Sequence, residues 1–165
     1  MKYEFDGAYS GQRVTLTFEE REFVDPGFVL VFAFYQGKLL LTRNKRRGWE
    51  VPGGTREPHE WPIQTAVREV YEETGAELAA LEPLGQYTVE MEGTPPFVKS
   101  IYVARVARLH ELPSGFETDE VRLFAEPPTV EEVRAGVEFS PILKDDVYPL
   151  ALERLRGHRF SKKEQ

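Results

Sequence analysis

GTREPHEWPIQTAVREVYEETGA, residues 54–76, is the stretch on which the fold and the chemistry turn. Pro62 suits the first turn of a helix, where its missing N–H is harmless, and Gly75 suits the position just past the end. Between them Glu69, Glu72 and Glu73 fall within about a 100° arc at helical periodicity, so one face carries three carboxylates. Like charges three and four residues apart cost an isolated helix roughly 0.2–0.5 kcal/mol per pair. A partner that offsets this repulsion is therefore expected. The apolar residues Ile63, Ala66, Val67 and Val70 occupy a separate arc and are expected to pack the helix on a sheet.

The flanks read mostly as strands. Lys2–Phe5 and the alternating RVTLTF (13–18) come first. FVLVFAFY (28–35) then runs through the hairpin signal Gln36-Gly37 into LLLT (39–42). A basic loop, RNKRRG (43–48), leads to WEVP (49–52) and a Gly53-Gly54 turn. Further strands are expected at 85–91, 97–109 and 120–125, a short helix at 129–135 and an amphipathic helix over about 144–156. Strands with one central helix and helices at the end indicate an α+β domain built in layers around a mixed sheet. No repeat or long linker divides the 165 residues, so one domain is expected over 1–165, with 158–165 as a frayed tail.

Composition narrows the function classes. The formal net charge of −7 argues against a general nucleic-acid backbone binder, which needs a basic footprint, while leaving room for an anionic ligand that arrives with divalent cations. Cysteine is absent, which removes thiol nucleophiles and thiolate metal sites and fits a reducing, cytoplasmic setting. The N-terminus has no signal-peptide pattern, and the longest apolar run is too short to span a bilayer, so no membrane association is expected. Three carboxylates on one helix face are hard oxygen donors and suit Mg²⁺ or Mn²⁺. Such ions bridge phosphate oxygens and lower the pKa of bound water, which is what cleavage of a phosphoanhydride requires. His59, His110 and His158 lack metal-ligand spacing and are expected at the surface.

Taken as a pattern, Gly54, Glu60 and Arg68-Glu69-Val70-Tyr71-Glu72-Glu73-Thr74-Gly75-Ala76 resemble the Nudix box G-x5-E-x7-R-E-U-x-E-E-x-G-U. The resemblance holds at every charged and glycine position and softens only at Ala76. It implies a Nudix-type α/β/α sandwich with a loop–helix–loop metal site, and hydrolysis of a nucleoside diphosphate linked to another group. It assigns Glu69, Glu72 and Glu73 as metal ligands, with the Gly53 carbonyl beside them, Arg68 as the residue that orients the acids, and Glu60 as their support. A further acid from FETDEV (116–121) is implied, Glu117 first and Glu120 next. Arg43 and Arg46 from the basic loop, with Gly54, are expected to border the substrate phosphates.

Beyond the box, LGQYTVE, KSIYVA, FETDEVRLF and SPILKDDVYPL are similar to a MutT-like branch of bacterial nucleoside triphosphatases. That similarity implies Mg²⁺- or Mn²⁺-dependent conversion of nucleoside triphosphates, oxidised ones such as 8-oxo-dGTP included, to monophosphate and pyrophosphate. RNA 5′-triphosphate ends and ADP-ribose-type substrates are the alternatives within the family, and a nucleotide-sensing module without hydrolysis is the alternative outside catalysis. Phe28, Phe34, Lys144 and Asp145 are the candidates for reading the base. Nothing in the pattern sets the oligomeric state.

Overall fold

The β-branched and aromatic run Phe28–Tyr35 is buried along both of its faces, and the whole molecule is arranged around it. In the computed structural model, which describes residues 1–163, it forms strand β3 at the centre of a nine-stranded sheet. The chain order is β1 (Lys2–Asp6), β2 (Gln12–Thr17), β3, β4 (Lys38–Asn44), β5 (Gly48–Glu50), β6 (Gly53–Thr55), α1 (Pro62–Thr74), β7 (Ala76–Met91), β8 (Thr94–Leu109), β9 (Thr118–Phe124), α2 (Val130–Ala135) and α3 (Val147–Leu155). In space the strands run β1-β2-β7-β8-β3-β4-β5, with β6 paired to β3 and β9 to β4. The sheet is mixed, because β3 and β8 are parallel, Phe28 opposite Lys99 through Phe34 opposite Arg105, while the other pairs are antiparallel.

Strand alternation sorts the core into two layers. Leu30, Phe32 and Phe34 pack with Leu39, Leu41 and Trp49 against Val147, Tyr148, Ala151 and Leu155 of α3. Val29, Val31 and Ala33 pack on the opposite face with Leu40, Tyr102 and Ala104 against Ala66 and Val70 of α1. One sheet between α1 and the C-terminal helices is the expected α/β/α sandwich, a mixed-sheet α+β architecture. Among the described residues no helix is long and apolar enough to cross a membrane.

Several local expectations change. Helix α1 buries Thr65, Ala66, Val70 and Thr74, whereas Ile63 and Val67 stand 56% and 45% exposed. The buried stripe is therefore rotated toward two threonines, whose hydroxyls bond locally: Thr74 donates to the Val70 carbonyl and Thr65 to Glu60. Strand β7 begins at Ala76, nine residues before the expected start. Its first half, AELAALEP, has helix-like composition, but long antiparallel pairing with β8 across several bulges overrides that preference. The Gly53-Gly54 turn is a short strand, and α3 starts at Val147 after a 3₁₀ turn at Pro141–Leu143. The expected frayed tail contains a 3₁₀ turn, Arg159–Ser161, in which Phe160 is buried against the α3 layer. Residues 164 and 165 of that tail lie outside the described residues.

Candidate active site

The carboxylate helix meets the sheet at the Gly53-Gly54 strand. Pairing of β6 with β3 sets Gly53 opposite Leu30 and Gly54 opposite Val29, directly beneath α1. A Cβ on Gly54 would overlap the Glu69 carboxyl group where it now lies, so glycine here leaves that carboxyl its place above the strand. At the other end Gly75 takes a left-handed conformation, φ 78°, and its N–H closes the helix on the Tyr71 carbonyl at 2.8 Å. Gly75 is thus a backbone requirement of the box, whereas Gly54 makes room for an acid side chain.

The acids are not alike. Glu73 is the most deeply set, and its Oε1 accepts the Gly53 N–H at 2.7 Å. Burial, with Glu69 and Glu50 adding repulsion, pushes its carboxyl up to about 8 against the opposing pull of the Gly53 bond. Glu69 is raised as well, chiefly by burial. Arg68 holds the remaining acids together. Its Nε and NH2 bond Glu60 at 2.6 and 2.9 Å, and its NH1 bonds Glu69 at 2.9 Å and Glu72 at 3.1 Å. Its NH2 also reaches the Thr55 carbonyl at 3.0 Å. The Arg68 fork, helped by the Glu57 N–H, holds Glu60 down at about 2.

These groups line one cleft of about 620 Å³. Gly53, Gly54, Glu69, Glu72 and Glu73 form one wall, and Glu117 enters from the loop before β9. Arg43 and Arg46 do not line it. Arg43 turns to Asp119 at 2.8 Å, and the Arg46 N–H is taken by the Asn44 side chain. The residue of the basic loop that lines the cleft is Arg47, whose Nε and NH2 grip buried Glu50 at 3.1 and 2.9 Å. Of the base-reading candidates, Phe28 lines the cleft, Phe34 is in the core and Lys144 donates to the Gly136 carbonyl. Asp145 accepts the Val147 N–H, and burial pushes it up to about 6 while nearby Lys99 opposes the shift.

Lys99 is the group that reading the sequence for motifs passes over. It lines the cleft, its ammonium lies 5.8 Å from the Tyr87 ring, and burial lowers its pKa against the pull of Asp145 and Glu50. A signal for it existed: a lysine inside the apolar run FVKSIYV, like Glu50 inside WEVP, is a charge where a buried strand needs none. Of the histidines, His110 pairs with Glu77 and His158 with Glu82, and His59 is exposed.

Could these residues hold a divalent cation? The donor chemistry fits: carboxylate and carbonyl oxygens, with burial and mutual repulsion raising the acids, as a site suited to added positive charge would be. Among the described residues no three acidic or histidine side chains already surround a common metal position, because Arg68 engages Glu69 and Glu72 and Gly53 engages Glu73. The fit is one of donor type and location.

Comparison with known proteins places the geometry. Residues 26–142 match the NUDIX domain family. The chain is 41% identical over 155 residues to the Bacillus subtilis (strain 168) protein named "Putative 8-oxo-dGTP diphosphatase YtkD", covering 93% of this chain and 96% of that one. The crystal structure of a point mutant of the Bacillus subtilis pyrophosphohydrolase BsRppH superposes with a TM-score of 0.88 at 38% identity, over 97% of this chain and 99% of that one. The NUDIX domain of Shewanella oneidensis NrtR, complexed with ADP ribose, shares the fold at a TM-score of 0.57 and 18% identity, over 84% of this chain and 94% of that one. The chain belongs to the NUDIX domain family and is one of its pyrophosphohydrolases.

Proposed function

We propose that the protein hydrolyses nucleoside triphosphates, oxidised guanine nucleotides such as 8-oxo-dGTP among them, to the monophosphate and pyrophosphate with Mg²⁺ or Mn²⁺. The observation that carries this reading is a single cleft that gathers metal-type carboxylates with cationic and aromatic side chains. Glu69, Glu72, Glu73, Gly53 and Glu117 line it together with Arg47, Lys99 and Phe28. Glu69, Glu72, Glu73, the Gly53 carbonyl and Glu117 would hold the cation, which supplies charge neutralisation at the phosphates and a more acidic bound water. Arg68 keeps Glu69 and Glu72 in register through NH1 and is itself anchored by Glu60. Gly54 lines the cleft and leaves the Glu69 carboxyl its place, which would bring the strand backbone close to the substrate phosphates. Arg47, braced by Glu50, offers its remaining donors to phosphate oxygens and takes the part expected of Arg43 and Arg46.

Lys99, opposite Phe28 in the sheet and lining the same cleft, would donate to O6 of a guanine-type base. The high similarity to a protein named for 8-oxo-dGTP supports a guanine-type base.

The test is a product assay. The protein with Mg²⁺ or Mn²⁺ is incubated with dGTP, 8-oxo-dGTP, dATP, ADP-ribose and 5′-triphosphate RNA, and phosphorus NMR identifies the products. Pyrophosphate with monophosphate, formed fastest from guanine nucleotides, supports the proposal. Turnover confined to RNA would move the substrate to a 5′ end, and turnover confined to ADP-ribose would overturn the triphosphate reading.

A further inference from the structure

Strand β9 does not pair evenly with β4. Leu39 faces Phe124 and the register continues to Arg43 opposite Glu120, but Asn44 faces Thr118. Asp119 is thus an extra residue, a bulge at the sheet margin beside the cleft. Beyond it the strand is shifted by one residue, so that Glu117 stands opposite Lys45, with the Lys45 N–H donating to the Glu117 carbonyl at 2.9 Å. In a regular ladder the partner would be Arg46, and a one-residue slip exchanges the faces to which side chains point. The presentation of Glu117 to the cleft depends on this bulge.

The bulge is fastened at three points. Arg43 Nε donates to Asp119 Oδ1 at 2.8 Å, and Arg43 NH1 lies 3.6 Å from Glu120. Thr118 Oγ donates to the Glu73 carbonyl at 3.2 Å, and Thr42 Oγ, from the neighbouring strand, donates to the same carbonyl at 2.7 Å. Both threonines are buried. The end of the carboxylate helix, the bulged strand and the Glu117 loop are therefore tied into one unit, and Arg43 is its outer clasp.

We propose that Arg43 is a positioning residue, which acts through Asp119 and the bulge to present Glu117, and that it does not contact substrate. This rests on the reading of Glu117 as an acid of the reacting end. The roles separate in kinetics, because a phosphate contact acts on ground-state binding whereas a positioning defect acts on kcat.

The experiment is a double-mutant cycle of Arg43→Gln and Glu117→Gln, with kcat and KM for a nucleoside triphosphate in Mg²⁺ and, separately, Mn²⁺ affinity by electron paramagnetic resonance without substrate. Arg43→Gln is expected to lower kcat by about 10-fold, to leave KM within about twofold and to weaken Mn²⁺ binding. In the Glu117→Gln background it should add less than about twofold. Asp119→Asn should reproduce the effect and Arg43→Lys should restore part of it, with thermal unfolding showing that each variant folds. A raised KM at unchanged kcat, or an effect that multiplies with Glu117→Gln, would overturn the proposal while leaving Glu117 its role. A Glu117→Gln variant with full kcat and full Mn²⁺ affinity would remove Glu117 from the reaction and the proposal with it.

Discussion

Glu73 accepts a hydrogen bond from the Gly53 N–H at 2.7 Å, so the most deeply set acid of the carboxylate helix is tied to the strand on which that helix rests. The bond orients the carboxyl but does not cancel the cost of charging it there, since burial still pushes it up to about 8. The site and the fold therefore make opposing demands on one side chain.

The first prediction follows from that opposition. A carboxyl whose folded pKa lies above its unfolded value of 4.5 contributes stability that is complete below the unfolded value and is lost as pH rises through about 8. Without divalent cations, stability should fall by on the order of 3 kcal/mol between about pH 5 and 9 on account of Glu73. Glu73→Gln, which keeps an acceptor for the Gly53 N–H, should flatten that slope and be the more stable protein at pH 9 while losing activity. Thermal unfolding in EDTA across this range is the measurement. A slope shared by both proteins would assign the loss to other groups.

Helix α1 supplies a second prediction, on packing. Val70 is fully buried in the smaller core layer, whereas Val67, one turn away, is 45% exposed. Val70→Ala should destabilise by about 1–3 kcal/mol through lost burial and an unfilled cavity. Val67→Ala should stay within about 0.5 kcal/mol of wild type. Urea unfolding of the two variants separates them, and equal losses would contradict the helix register described above.

The proposed base contact can be tested through Lys99, which lines the cleft. Removing one charged hydrogen-bond donor from a largely desolvated site costs about 1.5–3 kcal/mol, or roughly 10–100-fold in affinity. Lys99→Met should raise KM for dGTP and 8-oxo-dGTP by that factor with a much smaller change in kcat. Steady-state kinetics on guanine and adenine substrates checks this. An equal loss on both bases would place Lys99 at the sugar or phosphates.

How far was this legible in the chain itself? The box residues were, because their spacing encodes a backbone demand at Gly75 and a shared helix face for Glu69, Glu72 and Glu73. The two-layer core was legible in the run 28–35, where unbroken apolar character means burial on both faces. The helix face was misjudged at Ile63 and Val67, since Thr65 and Thr74 can be buried once their hydroxyls find partners in the helix itself and in the loop before it. Arg43 and Arg47 could not be told apart in RNKRRG, because their difference is a matter of pairing across strands. Arg43 faces the β9 acids and Arg47 folds back on Glu50. Lys99 and Asp145, near each other in space and 46 residues apart in sequence (145 − 99), form no local pattern at all.

The central claim is that the α1 carboxylates carry a divalent-cation-dependent cleavage of the phosphate chain. Its most direct test is the initial rate of pyrophosphate release from 8-oxo-dGTP by wild type and Glu72→Gln as a function of Mg²⁺ concentration. The predicted result is no release in EDTA, saturable release with added Mg²⁺, and a loss of roughly 100-fold or more in the variant. Equal rates for wild type and Glu72→Gln at saturating Mg²⁺, or wild-type release undiminished in EDTA, would contradict it.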